Sequence, residues 1–341
     1  MASSRDSTEL MIQNVSSCIT DVTPLLEDDY LDSESSTYNP IQTALRTSFI
    51  VLNSLMVIIG NIFSLTVMRY VDSPRFPPSS KAFLCNVIVW DLAHGIFSIL
   101  YVPPAALNYW PYGQFLCEAS GFVLMFINFC CVNAAILITV DRLLAVLYPL
   151  RHPIMISTKR ALAIIAIAVL FALSASIATF AVSADVAYSN DTVTCFVQWS
   201  RVSPANLFRL IVCIGCLLFL PAVILVGCYT KLYLVARKHA KRLAKLRRNA
   251  SACGRNPGLT VTNSRALRMC LLITATFCIA WTPYAIVSTL NYVTGEDTHP
   301  LVDFITCWLC LCNSWWDVII YFFMAQEFRK TARKLLCRRR L

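Results

Sequence analysis

Apolar residues gather in seven long stretches, at about 44–70, 82–107, 114–147, 161–183, 207–235, 266–293 and 301–324, with polar connections between them. A helix needs about 20 apolar residues to cross a hydrocarbon layer, and each stretch reaches that length. The run from Cys117 to Pro149 exceeds it, which predicts a tilted helix that projects past the surface. Ahead of the first stretch, residues 1–43 are acidic and rich in Ser and Thr, the composition of a disordered tail. After the seventh, Phe328, Ala332, Leu335 and Leu336 fall on one face with Arg and Lys between them, which predicts an interfacial amphipathic helix. The pattern therefore predicts an all-α membrane protein. A seven-transmembrane helix bundle over 44–324 would be followed by a short amphipathic C-terminal helix and tail over 325–341.

Composition agrees with that pattern. The chain is 57% hydrophobic and 14% charged, where a soluble domain carries about 25% charged residues. MASSRDSTELMIQ has no apolar core of a cleaved leader, so the first span is expected to direct its own insertion. A net charge of +10 could point to nucleic acid, but its placement argues against that partner. Of 29 Lys and Arg, all but Arg5, Arg46, Arg201 and Arg209 fall in segments that alternate onto one side, the positive-inside pattern. The N-terminus is then outside and the basic C-terminus inside, as expected for a multi-pass protein of the plasma membrane. The sixteen cysteines lie mostly in apolar runs, where they act as small hydrophobes. Only Cys18, Cys117 and Cys195 fall in oxidising space. The sequons at Asn14 and Asn190 face outside and are candidate glycosylation sites. Cys337, beside the amphipathic helix, is a candidate for palmitoylation.

Polar residues inside a bilayer are costly and mark functional positions. The second span holds Asp91 and the seventh holds Asn313, Ser314 and Asp317. This set suits a sodium ion or a shared proton, and equally suits mutual hydrogen bonding that merely joins the helices. Asn61 in the first span can tie neighbouring backbones together. Pro221 and Pro283 each remove a helix hydrogen bond and permit a kink. Phe277, Trp281 and Pro283 would share one side of the sixth helix. The four histidines are scattered, and there is neither a metal-protease motif nor a phosphate loop, so no enzyme chemistry is indicated. An ion- or proton-coupled transporter using Asp91 and Asp317 is the alternative, although no internal repeat supports it.

Together these residues resemble the rhodopsin-like (class A) G-protein-coupled receptors over about 44–337. The marks are Gly60-Asn61, Asn86 with Asp91, Trp110-Pro-Tyr-Gly113, Cys117, Asp141-Arg142-Leu143, Pro221 with Tyr229, Phe277-x-x-x-Trp281-x-Pro283, and Asn313-Ser314-x-x-Asp317-x-x-x-Tyr321. The resemblance implies a Cys117–Cys195 disulfide and a toggle at Trp281 touching Phe277, Val132 and Pro221. It implies that Arg142 pairs with Asp141 at rest and reaches a heterotrimeric G protein on opening, with Tyr229 and Tyr321 stabilising the open state. Asp91, Asn313, Ser314 and Asp317 would form a sodium site, and arrestin would be a further partner.

The departures from the family pattern are Leu143 for tyrosine, Val318 for proline, Val169 for tryptophan and Cys131 for serine. Asn263 stands where some members place an acid that locks Arg142, so some signalling without ligand is expected. Leu124 stands where amine receptors carry aspartate. Leu311 stands at the place of the lysine that holds retinal, so no retinal is expected. The pocket implied by the resemblance is mostly neutral: Leu124, Met125, Asn128, Cys213, Leu217, Trp281, Tyr284, Ser288, Cys307 and Trp308. A neutral small molecule or lipid would suit it. Glu118, Asp303 and the acidic tail would suit a basic peptide, and a receptor with no conventional agonist is a further reading.

Overall fold

The structure, a computed structural model, describes residues 38–71, 77–148, 150–181, 186–250, 261–324 and 326–338. The expected disordered tail, Asn14 and Cys18 lie outside the described residues. The chain divides into two compact units, Met1–Leu45 and Arg46–Leu341. In the first, Asn39 Oδ1 accepts the Gln42 N–H at 2.8 Å, and Gln42 Oε1 accepts the Asn39 N–H at 3.1 Å. This reciprocal cap, with Pro40 at the first helical position, starts α1 (Pro40–Tyr70) ahead of the apolar run. All later elements belong to the second unit.

α2 (Pro78–Leu107) tightens into a 3-10 turn over Ile99–Tyr101. Pro103 and Pro104 follow at once and have no N–H to bond back to the preceding carbonyls. α3 (Gly113–Leu147) starts at Gly113, whose φ of +78° suits a residue without a side chain. A one-turn helix, His152–Met155, leads into α4 (Thr158–Ala181). α5 is a continuous rod made of Pro204–Cys213, a π-helical segment Ile214–Phe219, and Leu220–Ala250. Ser203 caps it by accepting the Asn206 N–H at 3.1 Å. The π segment stands just ahead of Pro221, where the α-helical hydrogen bond is forfeited and a wider turn costs least. α6 (Val261–Thr294) carries Pro283 in its interior, and α7 (Pro300–Met324) is followed by α8 (Gln326–Arg338).

α1 to α5 and α7 are each long and apolar enough to cross a membrane, and α6 supplies the seventh rod. In the most apolar windows of α3 and α7, 61% of residues are buried, against 17% in α4. α3 and α7 therefore form the interior, while α4 leaves its side chains for lipid. One element departs from the all-helical expectation. β1 (Val186–Ser189) and β2 (Thr194–Val197) pair antiparallel in the connection between α4 and α5, with Val186 opposite Val197 and Ser189 opposite Thr194.

Candidate functional site

Three groups of side chains follow one another along the bundle, from the hairpin end to the end that carries Arg142. At the hairpin end, the Cys117–Cys195 disulfide fastens β2 to α3. Gly121 is one turn further along α3, where an added Cβ would stand 2.8 Å from the Cys195 carbonyl oxygen. Only a glycine admits the strand this close. Trp110 donates from Nε1 to the Gly113 carbonyl at 2.9 Å and packs on Tyr188 of β1, ring centroids 5.8 Å apart. Burial pushes the Tyr188 phenol upward from its ordinary pKa, against the pull of Arg46.

Beneath the hairpin is a small cavity of about 50 Å³. Leu124, Met125, Asn128, Cys213, Leu217, Trp281, Tyr284 and Cys307 line it, together with Thr194, Phe196 and Trp199 from the hairpin and the segment after it. Two of the expected lining residues lie elsewhere. Trp308 is fully buried and donates from Nε1 to the Thr192 carbonyl at 2.8 Å, so it anchors the hairpin turn and lines none of these cavities. Ser288, one turn beyond Tyr284, lines a second and larger cavity of about 260 Å³ nearer the hairpin end. The hairpin aromatics had only a faint sequence signal, namely apolar residues crowding a cysteine in an otherwise polar connection.

At the floor of the small cavity, Trp281 stacks on Phe277 with centroids 5.9 Å apart and planes 26° from parallel. Val132 belongs to the same buried cluster. Below lies the polar centre, a cavity of about 20 Å³ lined by Asp91, His94, Asn128, Cys131, Asn313, Ser314 and Asp317 among others. That is room for about one water-sized body. Asn61 donates to the Val57 carbonyl at 2.9 Å and to the Ser314 carbonyl at 3.3 Å, tying α1 to α7. His94, three residues after Asp91 and so on the same helical face, meets Ser314 Oγ through Nδ1 at 3.1 Å. Cys131 Sγ lies 4.0 Å from Asp91 Oδ1.

Among the described residues, Asp91 Oδ2, Asn313 Oδ1 and Asp317 Oδ1 are buried without a hydrogen-bond partner. Buried oxygens without partners are expensive, and two carboxylates with neutral oxygens form a hard-oxygen donor set. The residues present therefore fit a sodium ion. No group of three or more His, Cys, Asp or Glu that could hold a metal ion is found among the described residues, so the fit to sodium rests on two carboxylates with neutral oxygens.

At the far end, Asp141 is 1% exposed. Its Oδ2 accepts from Arg142 Nη2 at 2.8 Å, Arg142 Nε at 3.1 Å and Ser80 Oγ at 2.7 Å, while Oδ1 meets His152 Nε2 at 2.8 Å. Ser80 and His152 carry no motif of their own, and folding alone brings them to the carboxylate. Tyr321 is buried in the same apolar cluster as Val67, Ile88 and Phe328. Pro221 is buried on α5, and the side chain of Tyr229 lies outside those described.

The sequence profile described as 7 transmembrane receptor (rhodopsin family) matches residues 60–321. The chain belongs to the rhodopsin family of seven-transmembrane receptors. It is 25% identical over 322 residues to the human uracil nucleotide/cysteinyl leukotriene receptor, covering 89% of this chain and 79% of that one. It is 27% identical over 296 residues to the rat somatostatin receptor type 4, covering 84% and 71%. Its fold matches squid rhodopsin with a TM-score of 0.73 at 16% identity, over 87% of each chain. The chain is thus a class A G-protein-coupled receptor with seven membrane-crossing helices, an extracellular ligand and a G protein as partner. Membership of the family also disfavours the transporter alternative for the Asp91 and Asp317 pair.

Proposed function

We propose that this receptor lies in the plasma membrane, with residues 1–43 and the hairpin outside and Arg142 and α8 at the cytoplasmic face. The supporting observation is the closed Asp141–Arg142 ion pair, with Asp141 buried and Arg142 half-buried, at the end of the bundle opposite the hairpin. In the resting state Ser80 and His152 orient the Asp141 carboxylate, and the carboxylate retains Arg142. A ligand resting on Trp281 favours the state in which the Phe277–Trp281 stack has moved and α6 has swung out about Pro283 and beside Pro221. Arg142 is then released to the G protein, with Tyr229 and Tyr321 supporting the open cleft. Arrestin uses the same cleft, and α8 lies on membrane lipid with Cys337 palmitoylated.

The small cavity, lined largely by apolar groups, takes an uncharged portion of the ligand, such as the body of a small molecule or a lipid chain. The polar centre holds sodium through Asp91, Asn313, Ser314 and Asp317, where the ion supplies a fixed positive charge between two acids. Asn14 and Asn190 carry glycans.

Nucleotide exchange on a purified heterotrimeric G protein tests this reading. Receptor in lipid nanodiscs is expected to raise exchange above empty nanodiscs even without added ligand. Arg142→Ala is expected to lower that rate about tenfold, the equivalent of about 1.4 kcal/mol. Equal exchange by both proteins would sink the reading.

A further inference from the structure

The cavity of about 260 Å³ at the hairpin end has walls of one electrical sign. Asp191, Asp297 and Asp303 line it, and among the described residues no Lys, Arg or His does. Its deeper wall also carries a spare acceptor. Asn291 is 6% exposed, and its Oδ1 is buried without a hydrogen-bond partner, while Ser288 lies beside the Tyr284 hydroxyl. Thr298 donates to Asp303 Oδ1 at 2.7 Å. Phe196, Trp199 and Tyr284 line this cavity and the small one beneath, so an aromatic layer divides the two.

An amide oxygen without a donor, facing a cavity with acidic walls and an aromatic floor, calls for a group rich in N–H and positively charged. Carboxylates and neutral oxygens would accept its hydrogen bonds, and the rings would present their negative faces to it. At about 260 Å³ the cavity is far larger than a single bare ion needs, which suits an organic cation. Arg46 and the exposed Arg201 are nearby cations, and the Arg201 N–H bonds the Gln198 carbonyl at 3.3 Å. Arg46 donates to the Asn190 carbonyl and to the Asp191 carbonyl at 3.4 Å and lies over the Phe304 ring, and neither arginine lines the cavity.

We propose that the outer cavity is a cation subsite, in which Asp303, Asp297 and Asn291 receive an ammonium or guanidinium group of the ligand while its uncharged body extends past Tyr284 toward Trp281. This rests on the receptor reading above and adds the chemical class of the ligand. Such a group is offered by a small organic amine or by a basic side chain of a peptide.

Matched probes separate charge from shape. The small-molecule pair is 4-phenylbutylguanidine and its uncharged isostere 4-phenylbutylurea. The peptide pair is acetyl-Phe-Arg-Phe-amide and the same peptide with citrulline for arginine. Binding to the full chain in nanodiscs is followed by quenching of tryptophan fluorescence. In at least one pair the charged member is expected to bind about tenfold more tightly than its isostere. Asp303→Asn with Asp297→Asn is expected to erase that preference. Asp297→Asn alone, on an exposed loop, is expected to reduce it without disturbing the fold. Preference confined to the first pair assigns the site to small amines, and preference confined to the second assigns it to a peptide. Equal binding within both pairs, no binding up to about 1 mM, or a preference that survives the double substitution would overturn the proposal. Nucleotide exchange on the same nanodiscs keeps the two readings apart. A charge preference without exchange sinks the receptor reading alone, and exchange without a charge preference sinks the subsite alone.

Discussion

Asp141 shows how one carboxylate can hold a switch. It is enclosed, and its two oxygens are shared among Arg142, Ser80 and His152. A buried acid with well-placed donors is fixed in direction as well as satisfied. When His152 becomes Phe, Oδ1 loses its partner, the carboxylate is free to turn, and its grip on Arg142 slackens. A net hydrogen bond of about 1 kcal/mol corresponds to roughly a fivefold shift in the resting equilibrium. His152→Phe is therefore expected to raise ligand-free nucleotide exchange severalfold, and Ser80→Ala to do so more weakly. Adding Arg142→Ala to either should remove the gain. Unchanged basal exchange in both single variants would refute the arrangement. The Asp141-Arg142 pair was legible in the sequence because the two residues are adjacent and charged at the end of an apolar run. Ser80 and His152 were not, since nothing local marks a serine at the start of α2 or a histidine in a short connection as neighbours of an acid. His94 sat between these cases: its spacing from Asp91 puts both on one face, but the partner on α7 appears only in the fold.

The elements divide in the same way. Long apolar rods are readable because a bilayer imposes a length and forbids charge. Their ends depend on finer chemistry, such as the Asn39–Gln42 cap that begins α1 at Pro40 and the basic continuation that carries α5 to Ala250. The hairpin was not readable. Strands of four residues carry little periodicity, and these are held by a disulfide to a cysteine 78 residues away and by close contact with α3. That dependence can be tested at Gly121. In Gly121→Val the new side chain meets the Cys195 carbonyl oxygen, and either the strand or α3 has to shift. Overpacking of this kind costs about 1–3 kcal/mol. The variant is expected to unfold at a lower temperature and to exchange its amide hydrogens faster over 194–197, with α7 unaffected. Exchange at the wild-type rate over 194–197 would mean that the strand does not depend on the contact.

Across the whole molecule, the polar centre lies between the cavities under the hairpin and the ion pair at the opposite end, so its charge state is expected to bias the balance between them. Asp91 and Asp317 face a space for one small body, and their spare oxygens have no protein donor. A cation bound there offsets two like charges and favours the compact arrangement that closes around it. Whatever binds one state and not the other stabilises that state, by about 1.4 kcal/mol when its concentration is tenfold above Kd. The receptor is therefore expected to unfold a few degrees higher in sodium chloride than in choline chloride of equal ionic strength. Linkage requires the reverse effect as well: sodium should depress ligand-free exchange, and coupling to G protein should weaken sodium binding. Asp91→Asn removes one of the two charges and should abolish the difference in unfolding temperature between the salts. Asn128→Ala, at the upper edge of the same cavity, should leave much of it in place. If the wild-type protein unfolds at one temperature in both salts, the carboxylates are serving as hydrogen-bonding glue between α2 and α7, and the balance between the two ends is set by packing at Phe277 and Trp281 instead.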